Sequence, residues 1–233
     1  MKRSSTYLIH GEAGVGKTYL LGSMPAPVCI LDLEGRARYL PAKKVQWDVD
    51  AEAPPEPGDW THCIVTATTY DKIERVYQWL QSGQHPFKSF GFDSLTFGQK
   101  RYISKMAGTS QLKEYDWGEV LRVLETMIRD CCDLTLQPQN PIEVVAFTAG
   151  SRAEEGRVKP LLQGQLRDTS AYLFDAVGYL HLGMDSTGQT TRNLLVQPTS
   201  GIVAKDNTGR LGGPTILNPD MSELHRLANT ELP

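Results

Sequence analysis

Cysteine is scarce in this sequence. Its four cysteines (Cys29, Cys63, Cys131, Cys132) form no C-x-x-C pair, which argues against a zinc ribbon or a disulfide framework. Cys29 and Cys131 lie within apolar patterns, so buried thiols in a reducing compartment are expected. The five histidines are scattered and none makes a ligand pair. Net charge is only −3, so no global field draws the chain to a polyanion or membrane, and any such site has to be a local patch. No stretch approaches the roughly 18 apolar residues of a membrane span. Lys2-Arg3 is followed by only three apolar residues before His10 and Gly11, so no signal peptide is expected, and the expected location is cytoplasmic with no membrane partner. No internal repeat and no second domain are visible. With 40% hydrophobic and 22% charged residues, the 233-residue chain is expected to be one globular α/β domain, 1–233.

What is present begins with GEAGVGKT, Gly11 to Thr18, which fits G-x-x-x-x-G-K-[ST] at every fixed position. The apolar Tyr7-Leu8-Ile9 leads in as a strand, and Tyr19-Leu20-Leu21 leads out as a helix. Such glycines let successive backbone N–H groups point inward, and the helix N-terminus adds its positive dipole end. The nucleotide-binding set is thus Gly11, Glu12, Ala13, Gly14, Val15, Gly16, Lys17, Thr18 and Tyr19. Lys17 is placed to reach the β- and γ-phosphates of ATP, and the Thr18 hydroxyl to take one Mg²⁺ position.

Further along, Val28 to Leu33 is apolar except for Asp32, as in a parallel strand buried on both faces, and it ends in Glu34-Gly35. Residues 41–60, with four prolines and five acids, read as an exposed, mobile excursion. His62 to Thr66 reads as a strand, and Asp71 to Leu80 as a helix with Ile73, Val76, Tyr77 and Leu80 on one face. Phe87 to Leu95 gives a strand ending in Asp93-Ser94. From Asp116 a long amphipathic helix follows, with Asp116 and Glu119 resembling a capping box. Ile142 to Thr148 is a buried-type strand, and 150–170 a long polar loop. Val177 to Leu182 and Asn193 to Val196 make an antiparallel hairpin, Ile202 to Ala204 a further short strand, and Asp220 to Ala228 a closing helix. Strands alternating with helices predict a mainly parallel sheet finished by antiparallel strands.

A nucleotide pocket wants a second carboxylate for Mg²⁺ at a strand end beside the phosphate loop, and Asp93 fits. Hydrolysis also needs a group to orient or deprotonate water, and Glu34 stands at the end of another strand.

The ordered set GEAGVGKT, ILDLEG and FGFDSLT resembles the RecA-type P-loop ATPase core. It is most similar to small phage RecA-like ATPases of the nucleotide-binding or AAA type, several of which act in single-strand annealing and recombination. The likeness runs from about Ser5 to Gly213. It implies a mainly parallel sheet with helices on both faces and a C-terminal hairpin, and a slow Mg²⁺-dependent ATPase. Glu34 maps to the water-activating Glu and Asp93 to the Walker B acid. Ala204-Lys205-Asp206 is similar to a segment whose lysine reaches the neighbouring subunit's γ-phosphate, which makes Lys205 the third catalytic residue; Arg210 is the runner-up. The family strand matching IEVVAFTAG ends in a Gln or His sensor; here Thr148 is the hydroxyl available in its place.

The resemblance further implies self-association into a ring or filament and single-stranded DNA as partner, with a single-strand-binding protein as a further one. Single strands are held by cations interleaved with aromatics. Two stretches, 97–115 and 150–170, are the candidate DNA loops, with Lys100, Arg101, Tyr102 and Lys105 in the first and Arg152, Arg157 and Lys159 in the second. Other readings are a nucleotide-gated assembly module that binds recombination or replication proteins without touching DNA, and a small-molecule kinase.

Overall fold

The computed structural model describes residues 5–230. In chain order the elements are β1 (Ser5–His10), α1 (Lys17–Leu21), β2 (Val28–Asp32), β3 (Lys44–Gln46), β4 (His62–Thr66), α2 (Tyr70–Gln81), β5 (Ser89–Asp93), α3 (Leu95–Ala107) and α4 (Asp116–Asp133). Then come β6 (Val144–Ala149), β7 (Ser151–Glu154), β8 (Arg157–Pro160), α5 (Leu166–Thr169), β9 (Ala176–Met184), β10 (Thr190–Leu195), β11 (Lys205–Asp206), β12 (Thr215–Leu217) and α6 (Met221–Asn229).

The main sheet runs β12-β10-β9-β1-β6-β5-β2-β4-β3, with β11 joined to β9. From β9 to β3 every pairing is parallel, whereas β10, β11 and β12 pair antiparallel. Successive side chains of a strand point to opposite faces, and the sequence sorts accordingly. Leu8, Leu31, Val145 and Phe147 face one core, capped by α2, α3 and α4. Tyr7, Ile9, Ile30, Val144 and Ala146 face the other, against Leu20 and Leu21 of α1 and Met221 and Leu224 of α6. Both faces are covered, which is why β1, β2, β5 and β6 are buried along their whole length. Each Phe, Leu or Ile so enclosed contributes about 1.5–3 kcal/mol. The strand leading into the glycine-rich loop is separated from the Asp93 strand by one other, β6.

Helices α2 and α4 form where the apolar spacing predicts them, burying Ile73, Val76 and Leu80, and Val120, Leu124, Ile128 and Cys131. All four cysteines are buried free thiols. Several expectations need correction. Residues 41–60 are not simply an exposed excursion: Lys44–Gln46 adds an edge strand beside β4, and Trp47 and Val49 enter the core. The stretch 97–115 is helix as far as Ala107, because Tyr102 is buried and Phe97, Ile103 and Met106 pack on the same core. Within 150–170 the chain forms the β7–β8 hairpin and the single turn α5. Ile202 makes only isolated bridges, and the late strand lies at Lys205–Asp206. Asp116 and Glu119 form no capping box, since Asp116 accepts from the Lys113 N–H and Glu119 from the Tyr102 hydroxyl.

Candidate functional site

The C-terminal ends of β1, β6, β5 and β2 bring the site together. Between β1 and α1 the loop curls through Gly14 and Gly16, which have φ of 82° and 100°. The φ of Gly16 is what requires glycine there; a Cβ would also stand 2.5 Å from Arg192 Nε, a side chain free to shift. Lys17 folds back over the loop, donating to the carbonyls of Gly11 (2.8 Å) and Glu12 (2.7 Å). Burial pulls its pKa down, while Asp93 and Glu34 act to raise it. The Thr18 hydroxyl donates to Asp93 Oδ2 at 2.6 Å, so the loop and the β5 carboxylate are in contact across 75 residues.

Thr148, near the end of the intervening β6, lies beside Ile9 and donates to Asp93 Oδ1. Asp93 is thus gripped by two hydroxyls. Burial raises its pKa, and the bonds from Thr148 and Thr18 oppose that rise. Ser94 donates to Glu34 Oε1 at 2.6 Å, tying the exposed Glu34 to the same cluster.

Asp32 is the residue that shapes the approach to Glu34. Its carboxylate is buried and accepts from the N–H groups of Glu34 (3.1 Å), Gly35 (2.7 Å) and Arg36 (3.2 Å) at one oxygen and Ala37 (2.9 Å) at the other. Gly35, with φ of 72°, completes the turn. Sequence reasoning passed over Asp32, although a lone carboxylate in an apolar strand was the signal for it. It also missed Arg192 of β10, which donates to the Val15 carbonyl at 3.2 Å and lies over the exposed Tyr19 ring at 5.3 Å. Thr96 was missed as well. It donates to the Leu161 carbonyl and accepts from the Gly150 N–H, both at 3.0 Å, linking the start of α3 to the ends of the β7–β8 hairpin.

Mg²⁺ favours oxygen ligands and keeps substrate phosphates in its shell. Thr18 and Asp93, an all-oxygen pair at the mouth of the phosphate loop, fit that requirement. Among the described residues no cluster of three or more His, Cys, Asp or Glu could hold a metal alone.

Lys205 is not part of this cluster within the protomer. It pairs with Val177, which lies beside Leu8, two residues below the top of β1. It is half-buried, and burial lowers its pKa. The Asp206 carboxylate is taken by the N–H groups of Thr208, Gly209, Arg210 and Leu211. Arg210 is committed to the end of α6, donating to the Thr230 carbonyl at 2.6 Å.

The expected nucleic-acid cations are differently disposed. Lys105 pairs with Asp71 (2.7 Å) and Glu74 (3.0 Å), and Lys100 lies over Phe97 at 4.7 Å. Arg101 is half-buried, and Tyr102 is too deeply packed to stack on a base. In the second segment Lys159 pairs with Asp168 (2.8 Å) and Arg152 reaches Glu154 (3.7 Å), while Arg157 is exposed at the hairpin tip.

The family model described as "AAA domain" matches residues 3–208. Among solved structures, a KaiC-like protein from the hyperthermophilic archaeon Pyrococcus horikoshii OT3 is 16% identical, with a TM-score of 0.44 over 84% of this chain and 80% of that one. A type III secretion system ATPase of pathogenic bacteria is also 16% identical, with a TM-score of 0.49 over 76% of this chain and 52% of that one. No curated protein matches the sequence. No described helix is long and apolar enough to cross a membrane.

Proposed function

The chain belongs to the AAA domain family, and on that premise we propose that it binds Mg²⁺–ATP and hydrolyses it slowly, acting as a RecA-like assembly on single-stranded DNA in phage-type recombination, annealing or replication. The observation that carries the ATPase reading is the convergence of Lys17, Thr18, Asp93 and Glu34 on one sheet edge, through the Thr18–Asp93 and Ser94–Glu34 bonds. On binding, Lys17 exchanges its two loop carbonyls for phosphate oxygens, and the loop N–H groups orient the chain of phosphates. Bound Mg²⁺ would neutralise charge developing on the phosphates. Thr18 and Asp93 would hold it, with Thr148 fixing the second Asp93 oxygen. Glu34, steered by Ser94 and by the Asp32 turn, orients the attacking water and takes its proton.

For transfer to water, a second cation near the γ-phosphate is valuable. Lys205 in this reading serves a neighbouring subunit's site, in keeping with its place away from the protomer's own loop. Such a contact is head-to-tail and builds rings or filaments. Exposed Arg157 and Arg152 on the β7–β8 hairpin are the proposed contacts to the strand.

The ion pairs of Lys105 and Lys159, and the burial of Tyr102, favour a second reading: a nucleotide-gated assembly module with protein partners and no direct DNA contact. Turnover and assembly mass of wild-type and Glu34→Gln protein, measured with and without a long single strand, test both. Glu34→Gln should keep Mg²⁺–ATP binding and lose hydrolysis. Turnover at the wild-type rate would overturn the role of Glu34, and a strand that neither binds nor stimulates at low salt would leave the assembly reading.

A further inference from the structure

His10 closes β1 immediately before the phosphate loop, and its ring is fully buried. Imidazole is seldom placed so deep, and Leu8, on the same face of the strand, is apolar. Both ring nitrogens are engaged: Nε2 lies 2.7 Å from the Val203 carbonyl oxygen and Nδ1 2.8 Å from Ser151 Oγ. A carbonyl oxygen can only accept, so Nε2 carries the proton and Nδ1 accepts from the Ser151 hydroxyl. Burial pushes the pKa down to about 4, which keeps this neutral tautomer in place. Tyr179 packs on the ring at 5.3 Å and is itself stacked on His181.

The two partners belong to different segments. Ser151 is the first residue of the β7–β8 hairpin. Val203 donates to the Val158 carbonyl (3.0 Å), and Val158 donates to that of Gly201 (2.7 Å), so 201–203 is laced to β8; Lys205 follows two residues later. On the other side of His10 is Gly11, whose carbonyl holds Lys17. When Lys17 leaves that carbonyl for a phosphate, the Gly11–Glu12 peptide unit, one residue beyond His10, loses its charged partner.

We infer that His10 is a positioning residue that couples filling of the phosphate loop to the placement of the β7–β8 hairpin and of the segment leading to Lys205. This rests on the reading that the loop binds a nucleoside triphosphate. An apolar side chain would fill the space equally well but would join neither segment to the loop.

Hydrogen exchange, with and without Mg²⁺ and a non-hydrolysable ATP analogue, tests it alongside an independent measurement of analogue binding. In wild-type protein the analogue should slow exchange by about tenfold in both 151–160 and 199–206. Ser151→Ala, which removes only the hairpin bond, should abolish the change in 151–160 and leave it in 199–206. His10→Gln, whose amide can donate to Val203 and accept from Ser151, should keep both responses, whereas His10→Phe should lose both. A merely structural role predicts no such segment-by-segment pattern. If the analogue binds and neither segment responds, or if His10→Phe and Ser151→Ala respond as wild type does, the coupling role is overturned while the nucleotide reading stands. If the analogue does not bind wild-type protein, the nucleotide reading fails, and the coupling role falls with it.

Discussion

Replacing Asp32 by Asn keeps the shape of the side chain and removes its charge and one acceptor. Four backbone N–H groups, from Glu34 to Ala37, converge on the native carboxylate at 2.7–3.2 Å. If the amide oxygen takes the place of Oδ1, three bonds survive as neutral ones, each weakened by roughly half. The amide N–H₂ then faces the Ala37 N–H, donor against donor. Leaving that buried N–H unpaired costs about 1–3 kcal/mol, and the weakened bonds add to it, so the whole loss is about 3 kcal/mol. That lies within the 5–15 kcal/mol stability of a typical domain, so the variant should fold.

Its effect on function should be selective. Asp32 does not touch the phosphate loop, but it braces the turn on which Glu34 rides. An error of about 1 Å in placing a catalytic group can cost on the order of 10²-fold. Nucleotide affinity should therefore stay near wild type while turnover falls by about tenfold or more. Urea denaturation, with midpoint and slope both fitted, reads the stability; nucleotide titration and steady-state hydrolysis read the rest. An unchanged denaturation midpoint, or a loss of affinity matching the loss of turnover, would refute the brace.

Three further outcomes are expected. Lys17→Ala should lose nucleotide binding or turnover with little change in stability, because its ammonium bonds only to loop carbonyls; unchanged affinity in a folded variant would remove the phosphate-loop assignment. Lys205→Ala and Glu34→Gln proteins, each inactive alone, should regain partial turnover when mixed, and wild-type turnover by Lys205→Ala alone would exclude a trans role. Stability should fall as pH drops from 6.5 to about 4, where the unfolded His10 takes up a proton and the native one, with its pKa near 4, does not. The loss is about 1.4 kcal/mol per pH unit, or roughly 3 kcal/mol in all, with none above pH 6.5. Subtracting the curve of His10→Gln cancels the carboxylates and the other histidines, and a flat difference would contradict the burial.

The glycine-rich loop was legible because its geometry is local: glycines, lysine and hydroxyl sit within eight consecutive residues and need only a strand before and a helix after. Asp93 and Glu34 were legible as acids at strand ends, where sheets of this kind place ligands. The partners of His10 and Arg192 were not, since they lie 141, 193 and 177 residues away and depend on which strands become neighbours. Helix α3 was obscured by its cations: set among Lys100, Arg101 and Lys105, Tyr102 reads as a ring for stacking on a base and not as the core residue it is. Lys105 looked available because its acids, Asp71 and Glu74, stand on another helix. Asp32 showed as a lone carboxylate in an apolar strand, but its partners are backbone amides, which no residue pattern displays.

The position of β1 has a consequence for synthesis on the ribosome. Among the described residues it pairs in the sheet with β6, from Val144 onward, and with β9, from Ala176 onward. At roughly 5–20 residues per second, the ribosome takes about 7–28 seconds to deliver even the nearer of these. During that time the hydrophobic Tyr7-Leu8-Ile9 and the glycine-rich loop behind it have no sheet to join, although β2, β4 and β5 can already pair with one another. The nascent chain is therefore unable to capture a nucleotide until β6 has emerged. A stalled or truncated product ending before β6 should be both inert toward nucleotide and prone to stick through its exposed first strand.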